Sequence, residues 1–174
     1  MNLPNALALM RIVLAPILFF LLTYKIDDIH PSWIDYFATV VFSIAALSDF
    51  FDGYIARIWG QVTKLGAILD PLADKMLILA AFLGLLLLDR ANAWIVYLIL
   101  VREFFITGFR IVMISDNLNI SASFAGKIKT LSQTIAIIFL LMQWKFADFI
   151  LYIAFFLTIY SGVEYVVKYY KARL

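Results

Sequence analysis

The chain has 174 residues, of which 65% are hydrophobic and 15% are charged, and its mean hydropathy is +0.97. This composition exceeds the apolar share of a soluble domain and predicts an integral membrane protein. The formal net charge of +2 is small and says little by itself. We expect membrane lipid as a partner and no nucleic acid. Cysteine is absent, which excludes disulfides and thiolate metal ligands.

Apolar stretches follow one another along the whole chain, each near the length of about 20 residues that crosses a bilayer core. We predict six helices, over residues 6–24, 33–58, 65–88, 93–114, 128–142 and 147–169. The connections are short and polar, without a linker or repeat. We therefore expect a single all-α membrane domain over residues 1–174 with six transmembrane helices.

Lys and Arg are distributed unevenly over the two sides that six crossings define. Three lie on one side: Lys25, Arg90 and Lys145. Nine lie on the side of the termini: Arg11, Arg57, Lys64, Arg110, Lys127, Lys129, Lys168, Lys171 and Arg173. The positive-inside rule predicts that this second side, with the N- and C-termini, is cytoplasmic. We expect a multi-pass protein of the inner membrane.

Four aspartates interrupt the apolar pattern of the second and third helices, namely Asp49, Asp52, Asp70 and Asp74. A carboxylate in a membrane span costs roughly 2.5 to 3.5 kcal/mol on insertion scales, so a cluster of four needs compensation. The short turn between these helices makes them antiparallel neighbours, and both acidic faces can converge near their cytoplasmic ends. Bound cations would offset the charge most simply.

Small residues and one guanidinium accompany the carboxylates. At about 100° per residue, two groups each share a helix face: Asp49, Asp52, Gly53, Ala56 and Arg57 on one helix, and Gly66, Asp70 and Asp74 on the next. Oxygen ligands suit Mg²⁺, Mn²⁺ or Ca²⁺ rather than zinc. Two divalent cations could clamp a pyrophosphate, while Arg57 offers a fork for a phosphate oxygen.

The aspartates also admit other interpretations. They could form ion pairs with Arg57, Lys64 and Lys75 beside small residues that serve only helix packing. Four acids on two aligned faces favour the metal site over that alternative. The acids could also line the path of a divalent-cation transporter, but they crowd the cytoplasmic ends of their helices, which argues against a transmembrane path.

The spacing Asp49-x₂-Asp52-Gly53-x₂-Ala56-Arg57-x₈-Gly66-x₃-Asp70-x₃-Asp74 resembles the signature of the CDP-alcohol phosphotransferase family. The resemblance implies a homodimer with two Mg²⁺ or Mn²⁺ ions in a cytoplasm-facing site, where an alcohol displaces CMP from a CDP-linked substrate. It implies that Asp49, Asp52 and Asp70 are the main metal ligands and that Asp74 touches the metals and acts as the general base. The implied CDP-binding residues are Asp49, Asp52, Gly53, Ala56, Arg57 and Gly66.

Two further segments, Arg102-Glu103…Arg110 and Gly126-Lys127-x-Lys129-Thr130-x₂-Gln133, resemble the branch of this family that uses glycerol 3-phosphate. This resemblance implies phosphatidyl transfer from CDP-diacylglycerol to glycerol 3-phosphate by a protein that is surrounded by membrane lipid. We expect Arg110 and Lys127 to grip the acceptor phosphate, with Arg102 or Lys129 as helpers. Acceptors such as inositol phosphate, inositol or serine are the alternative within the same chemistry.

Each of these cations also has an alternative interpretation. Arg110, Lys127 and Lys129 could lie at the membrane interface and bind anionic headgroups, which is the usual role of cytoplasmic-side cations. Arg102 and Glu103 could form a purely structural pair.

Overall fold

The computed structural model describes the backbone of residues 3–24, 30–58, 64–115 and 124–173, and the side chains of residues 6–24, 30–48, 72–109 and 124–171. Within these ranges the protein is all-helical, with α1 (Leu3–Thr23), α2 (Pro31–Ile58), α3 (Lys64–Leu87), α4 (Ala93–Ser115), α5 (Phe124–Leu141) and α6 (Ala147–Arg173). The six predicted helices are confirmed in number and order. Helices α5 and α6 extend beyond their predicted apolar parts, because hydropathy does not mark a helical turn that is polar.

Among the described residues, four helices are long and apolar enough to cross a membrane. Their apolar segments are Ala6–Thr23, Pro31–Ser48, Phe124–Leu141 and Ala147–Lys171. The protein is thus built as a multi-pass membrane protein. Membrane crossing by α3 and α4, and the cytoplasmic side of the termini, stay predictions.

The chain forms two compact units, and whether they act as one domain stays a prediction. The N-terminal unit comprises Met1–Arg90 and Leu140–Trp144, and the C-terminal unit comprises Ala91–Phe139 and Lys145–Leu174. In the N-terminal unit, α1 packs against both α2 and α3, and α2 packs against α3. In the C-terminal unit, α4 packs against α6.

Helix α1 buries one stripe at three- and four-residue spacing: Ala8, Arg11, Ala15, Leu18 and Leu22. Alanines recur in the buried faces of α2 and α3 as well, where small side chains allow helices to approach closely. At Gly84, α3 and α1 approach closely, since an added Cβ would lie 2.5 Å from Leu22 Cδ1. Leu22 and Gly84 therefore lie at the same height along the N-terminal unit.

A partly buried ion pair joins α2 to the residues that follow α3. Arg90 Nη1 donates to Asp35 Oδ1 at 2.7 Å and to the carbonyl oxygen of Leu141 at 3.3 Å. Gln143 Nε2 donates to the second oxygen of the same carboxylate at 2.9 Å. Because Asp35 lies near the start of α2 and Arg90 just after the end of α3, the two helices run antiparallel.

Polar caps end α3 and begin α4. Asp89 has a φ of 54°, and the amide of Arg90 donates to the carbonyl of Leu85 at 2.9 Å, as in a Schellman motif. Asn92 Oδ1 then accepts the amide hydrogen of Trp94 at 3.0 Å, so Asn92 is the N-cap of α4. These caps mark the end of α3 and the start of α4, and the connection between the two helices is short, as the sequence predicted.

Candidate active site

The predicted aspartates lie on the two neighbouring helices α2 and α3. Asp49 and Asp52 belong to the second half of α2, and Asp70 and Asp74 to the first half of α3. Asp74 is half-buried, whereas the side chains of the other three aspartates lie outside the described residues. Where side chains are described, no group of three or more acidic or histidine residues could hold a metal ion. The metal site therefore stays a prediction.

Helix register nevertheless sets the height of these positions in the N-terminal unit. Asp35 and Arg90 pair with each other and so lie at one height. Asp52 follows Asp35 by seventeen residues, and Ala73 precedes Arg90 by seventeen residues. With about 1.5 Å of rise per residue in each antiparallel helix, Asp52 is at about the height of Ala73, beside Asp74 in sequence. The backbone thus brings the acidic segments of α2 and α3 to one level.

The predicted CDP-binding residues Gly53, Ala56 and Arg57 occupy the end of α2, and Gly66 lies in the first turn of α3. Their side chains and surroundings lie outside the described residues. Their assignment to a CDP pocket stays a prediction.

An apolar groove of about 270 Å³ opens between α1 and α3 close to the height of Asp74. It is lined by Ala15, Pro16, Phe19, Met76, Leu79, Ala80 and Leu83. Met76 follows Asp74 by two residues, so one end of the groove lies within about one helical turn of that carboxylate. The groove extends from there along α3 toward Leu83.

Helices α4, α5 and α6 share a buried polar network in the C-terminal unit, which we name the Glu103 cluster. Its side chains are Arg102, Glu103, Lys129, Gln133, Thr158 and Ser161. Glu103 Oε1 accepts from Lys129 Nζ at 2.6 Å, from Arg102 Nη1 at 3.1 Å and from Gln133 Nε2 at 3.3 Å. One carboxylate oxygen therefore serves donors from two helices.

Two further bonds extend the Glu103 cluster to α6. Arg102 Nη2 donates to Ser161 Oγ at 2.7 Å, and Gln133 Nε2 donates to Thr158 Oγ1 at 2.8 Å. A Cβ added at Gly162 would lie 2.8 Å from Arg102 Nε, so the glycine leaves room for the guanidinium. The pairing of Arg102 with Glu103, one of the two interpretations of the sequence, is present in the structure.

The four cations predicted to bind the acceptor phosphate are in different surroundings. Arg102 and Lys129 belong to the Glu103 cluster, and burial of Lys129 is not the interfacial position that the alternative interpretation expected. Lys127 is exposed and lies about 200° from Lys129 around α5. The side chain of Arg110 lies outside the described residues.

Arg11 is the most unexpected polar residue, because its side chain is 0% exposed. In the sequence, Arg11 belongs to the cations expected on the cytoplasmic side. The signal that would have found it is its place between Ala8 and Ala15, at helical spacing in the stripe that α1 buries.

Comparison with known proteins points to one family. The family model for CDP-alcohol phosphatidyltransferase matches residues 1–160. A Bacillus subtilis (strain 168) protein, named CDP-diacylglycerol–glycerol-3-phosphate 3-phosphatidyltransferase, is 39% identical over 186 residues, covering 98% of this chain and 96% of its own. An Escherichia coli (strain K12) protein of the same name is 34% identical, covering 94% and 92%. A Mycobacterium tuberculosis (strain H37Rv) protein, named probable phosphatidylglycerophosphate synthase, is 37% identical, covering 96% and 81%.

Proposed function

Because the chain belongs to the CDP-alcohol phosphatidyltransferase family, we propose that it transfers the phosphatidyl group of CDP-diacylglycerol to glycerol 3-phosphate. The products are phosphatidylglycerophosphate and CMP. The observation that carries this proposal is the 39% identity, over nearly the whole of both chains, to a relative named for this transfer. The protein is then a membrane-bound transferase of phospholipid synthesis.

The residues proposed to hold two divalent cations, Mg²⁺ or Mn²⁺, are Asp49, Asp52, Asp70 and Asp74. Carboxylate oxygens are the donors that these cations prefer, and the height shared by the acidic segments of α2 and α3 fits a joint site. When bound, the cations would polarise the attacked phosphorus and stabilise the charge on the leaving CMP.

The reaction is a direct displacement at phosphorus. Asp74 takes the proton of the 1-hydroxyl of glycerol 3-phosphate, and the oxygen forms a bond to the lipid-side phosphorus of CDP-diacylglycerol. The bond from that phosphorus to the CMP oxygen breaks. Arg57 donates to a phosphate oxygen of the leaving group, while Gly53, Ala56 and Gly66 leave space for the CDP moiety.

Arg110 and Lys127 bind the phosphate of glycerol 3-phosphate, with Arg102 and Lys129 as helpers. Exposure of Lys127 leaves its ammonium accessible to a soluble anion. The Glu103 cluster supports the helper role, because it holds the cations Arg102 and Lys129 side by side. An acceptor that carries its own phosphate would be attracted to these cations, whereas serine or plain inositol would bring no phosphate to them.

The lipid part of the substrate enters from the bilayer. The apolar groove between α1 and α3 suits one acyl chain, because its lining is hydrocarbon and one of its ends is near Asp74. The protein lies in the inner membrane, and its active site faces the cytoplasm, as do both termini. We further propose that the enzyme is a homodimer, on the resemblance to its family.

Release of CMP from CDP-diacylglycerol by the purified protein tests this function. The assay is run in detergent with Mg²⁺ or Mn²⁺ and compares glycerol 3-phosphate, inositol phosphate, inositol, serine and no acceptor. We expect release only with metal and glycerol 3-phosphate together. Release with another acceptor alone would move the acceptor assignment, and no release with any of them would refute transferase activity.

A further inference from the structure

We propose that Arg11 is a positioning residue of the aspartate site, whose charge holds the carboxylates of α2 and α3 together before cations bind. The inference rests on the proposed function, since it takes these aspartates as metal ligands. It concerns a residue outside the aspartate signature, on a third helix.

Complete burial of Arg11 is the first observation. Its side chain is 0% exposed, within the stripe that α1 presents to its neighbours in the N-terminal unit. Arginine is almost never fully buried unless it is paired, because desolvation of a charge is costly without an opposite charge. The position therefore calls for carboxylates at the height of Arg11.

Register between α1 and α3 gives that height. Leu22 lies beside Gly84, and the residues that line the groove precede Leu22 in α1 and precede Gly84 in α3, so the two helices run parallel. Eleven residues back from Leu22 is Arg11, and eleven residues back from Gly84 is Ala73. Since both helices rise about 1.5 Å per residue, Arg11 is level with Ala73, next to Asp74.

The other acids of the N-terminal unit whose side chains are described are too far away. Asp35 is bound to Arg90, and Asp89 lies in the connection after α3. Arg90 is seventeen residues beyond Ala73 along the chain, which corresponds to roughly 25 Å of helix. At the height of Arg11 are Asp74 and, by backbone position, Asp70 and Asp52. The acidic segments of α2 and α3 are thus its neighbours.

Electrostatics then assign Arg11 a role that depends on metal. Four carboxylates gathered in the proposed site would repel one another when no cation is present, and a buried guanidinium would offset part of this repulsion. Two divalent cations would balance four carboxylates by themselves. Arg11 therefore stabilises the metal-free protein more than the metal-loaded protein.

Thermal unfolding of the purified protein in detergent, followed by tryptophan fluorescence, tests this inference. The midpoint is measured in EDTA and in MnCl₂ for wild type, Arg11→Met, Arg11→Gln, Arg11→Lys and Leu18→Ala. Leu18→Ala is the matched control, since Leu18 is buried in the same stripe two turns from Arg11. Both Arg11→Met and Arg11→Gln remove the charge, so the test can still be made if one of them does not fold.

We expect both charge-removing variants to lose more stability in EDTA than in MnCl₂, so that their Mn²⁺-induced rise exceeds that of wild type. Arg11→Lys keeps the charge and should keep the wild-type rise, and Leu18→Ala should lose equally in both conditions. Equal losses for the charge-removing variants would overturn the inference while the metal site stands. No Mn²⁺-induced rise in wild type would instead overturn the proposed metal site, and the role of Arg11 with it.

Discussion

The ammonium nitrogen of Lys129 lies 2.6 Å from Oε1 of Glu103, and both side chains are buried. The same oxygen also accepts from Arg102, so one carboxylate pairs with cations of two helices. This relationship joins α4 to α5, while Arg102 continues the connection to α6. The acceptor half of the proposed chemistry therefore depends on a carboxylate that does not itself bind a phosphate.

Glu103→Gln should destabilise the protein strongly. The substitution leaves Arg102 and Lys129 buried without their counter-charge, and breaking a buried ion pair costs about 3 to 5 kcal/mol. We expect the thermal unfolding midpoint in detergent to fall by several degrees. Lys168→Gln is the control, because Lys168 pairs with Glu164 at the surface of α6, where loss of a pair costs less than about 1 kcal/mol. Similar midpoints for the two variants would contradict this account of the cluster.

Two glycine substitutions should have opposite effects. Gly162→Ala places a Cβ 2.8 Å from Arg102 Nε and must displace the guanidinium, whereas Gly108→Ala meets nothing within 4 Å. Overpacking costs about 1 to 3 kcal/mol, while alanine in an open helical position is favoured over glycine by about 0.5 to 1 kcal/mol. Unfolding midpoints of both variants are the measurement. A Gly162→Ala protein as stable as Gly108→Ala would refute the close contact.

The number, order and approximate bounds of the helices could be predicted from the sequence, because apolar length alone marks a membrane span. The face of each helix that packs against other helices could not be predicted from the sequence. Lipid is as apolar as a protein core, so Val13 at 58% exposure and Leu18 at 0% look alike to a hydropathy pattern. Burial of Arg11 followed from helix packing, and a count of charges gave no sign of it.

The candidate site was likewise predictable in part from the sequence. Spacing placed the aspartates on two neighbouring helices, and the register of α2 and α3 brings their backbone to one level. The contact of Lys129 with Glu103 could not be predicted from the sequence, because the two residues are 26 residues apart and lie on different helices. Only the three-dimensional structure shows that these two side chains meet.

Lys127→Ala should weaken binding of glycerol 3-phosphate without destabilising the fold. Lys127 is exposed, and a hydrogen bond to a charged group contributes about 1.5 to 3 kcal/mol, so we expect KM for the acceptor to rise at least about tenfold. KM for CDP-diacylglycerol should not change. Lys145→Ala, at another exposed lysine, is the control. An unchanged acceptor KM in Lys127→Ala would remove this residue from the site.

Ala80→Trp should discriminate between substrates by chain length. Ala80 lines the groove between α1 and α3, and an indole there would fill the space of an acyl chain. Each methylene group displaced from the groove costs about 0.8 kcal/mol. Displacement of two methylene groups should therefore raise KM for dioleoyl CDP-diacylglycerol about tenfold. Dioctanoyl substrate should be affected less. Leu87→Trp, at a position 66% exposed on the same helix, is the control. Equal effects on both substrates would exclude the groove as an acyl site.

Phosphatidyl transfer with Asp74 as the general base is tested by following the incorporation of labelled glycerol 3-phosphate into lipid by wild type and by Asp74→Asn. Purified protein is incubated with CDP-diacylglycerol, Mn²⁺ and ¹⁴C-glycerol 3-phosphate, and the label in the organic phase is counted. We expect wild type to form labelled phosphatidylglycerophosphate only with Mn²⁺, and Asp74→Asn to be slower by about 10² or more, since general base catalysis contributes that much. Undiminished transfer by Asp74→Asn, or transfer by wild type in EDTA, would contradict the account.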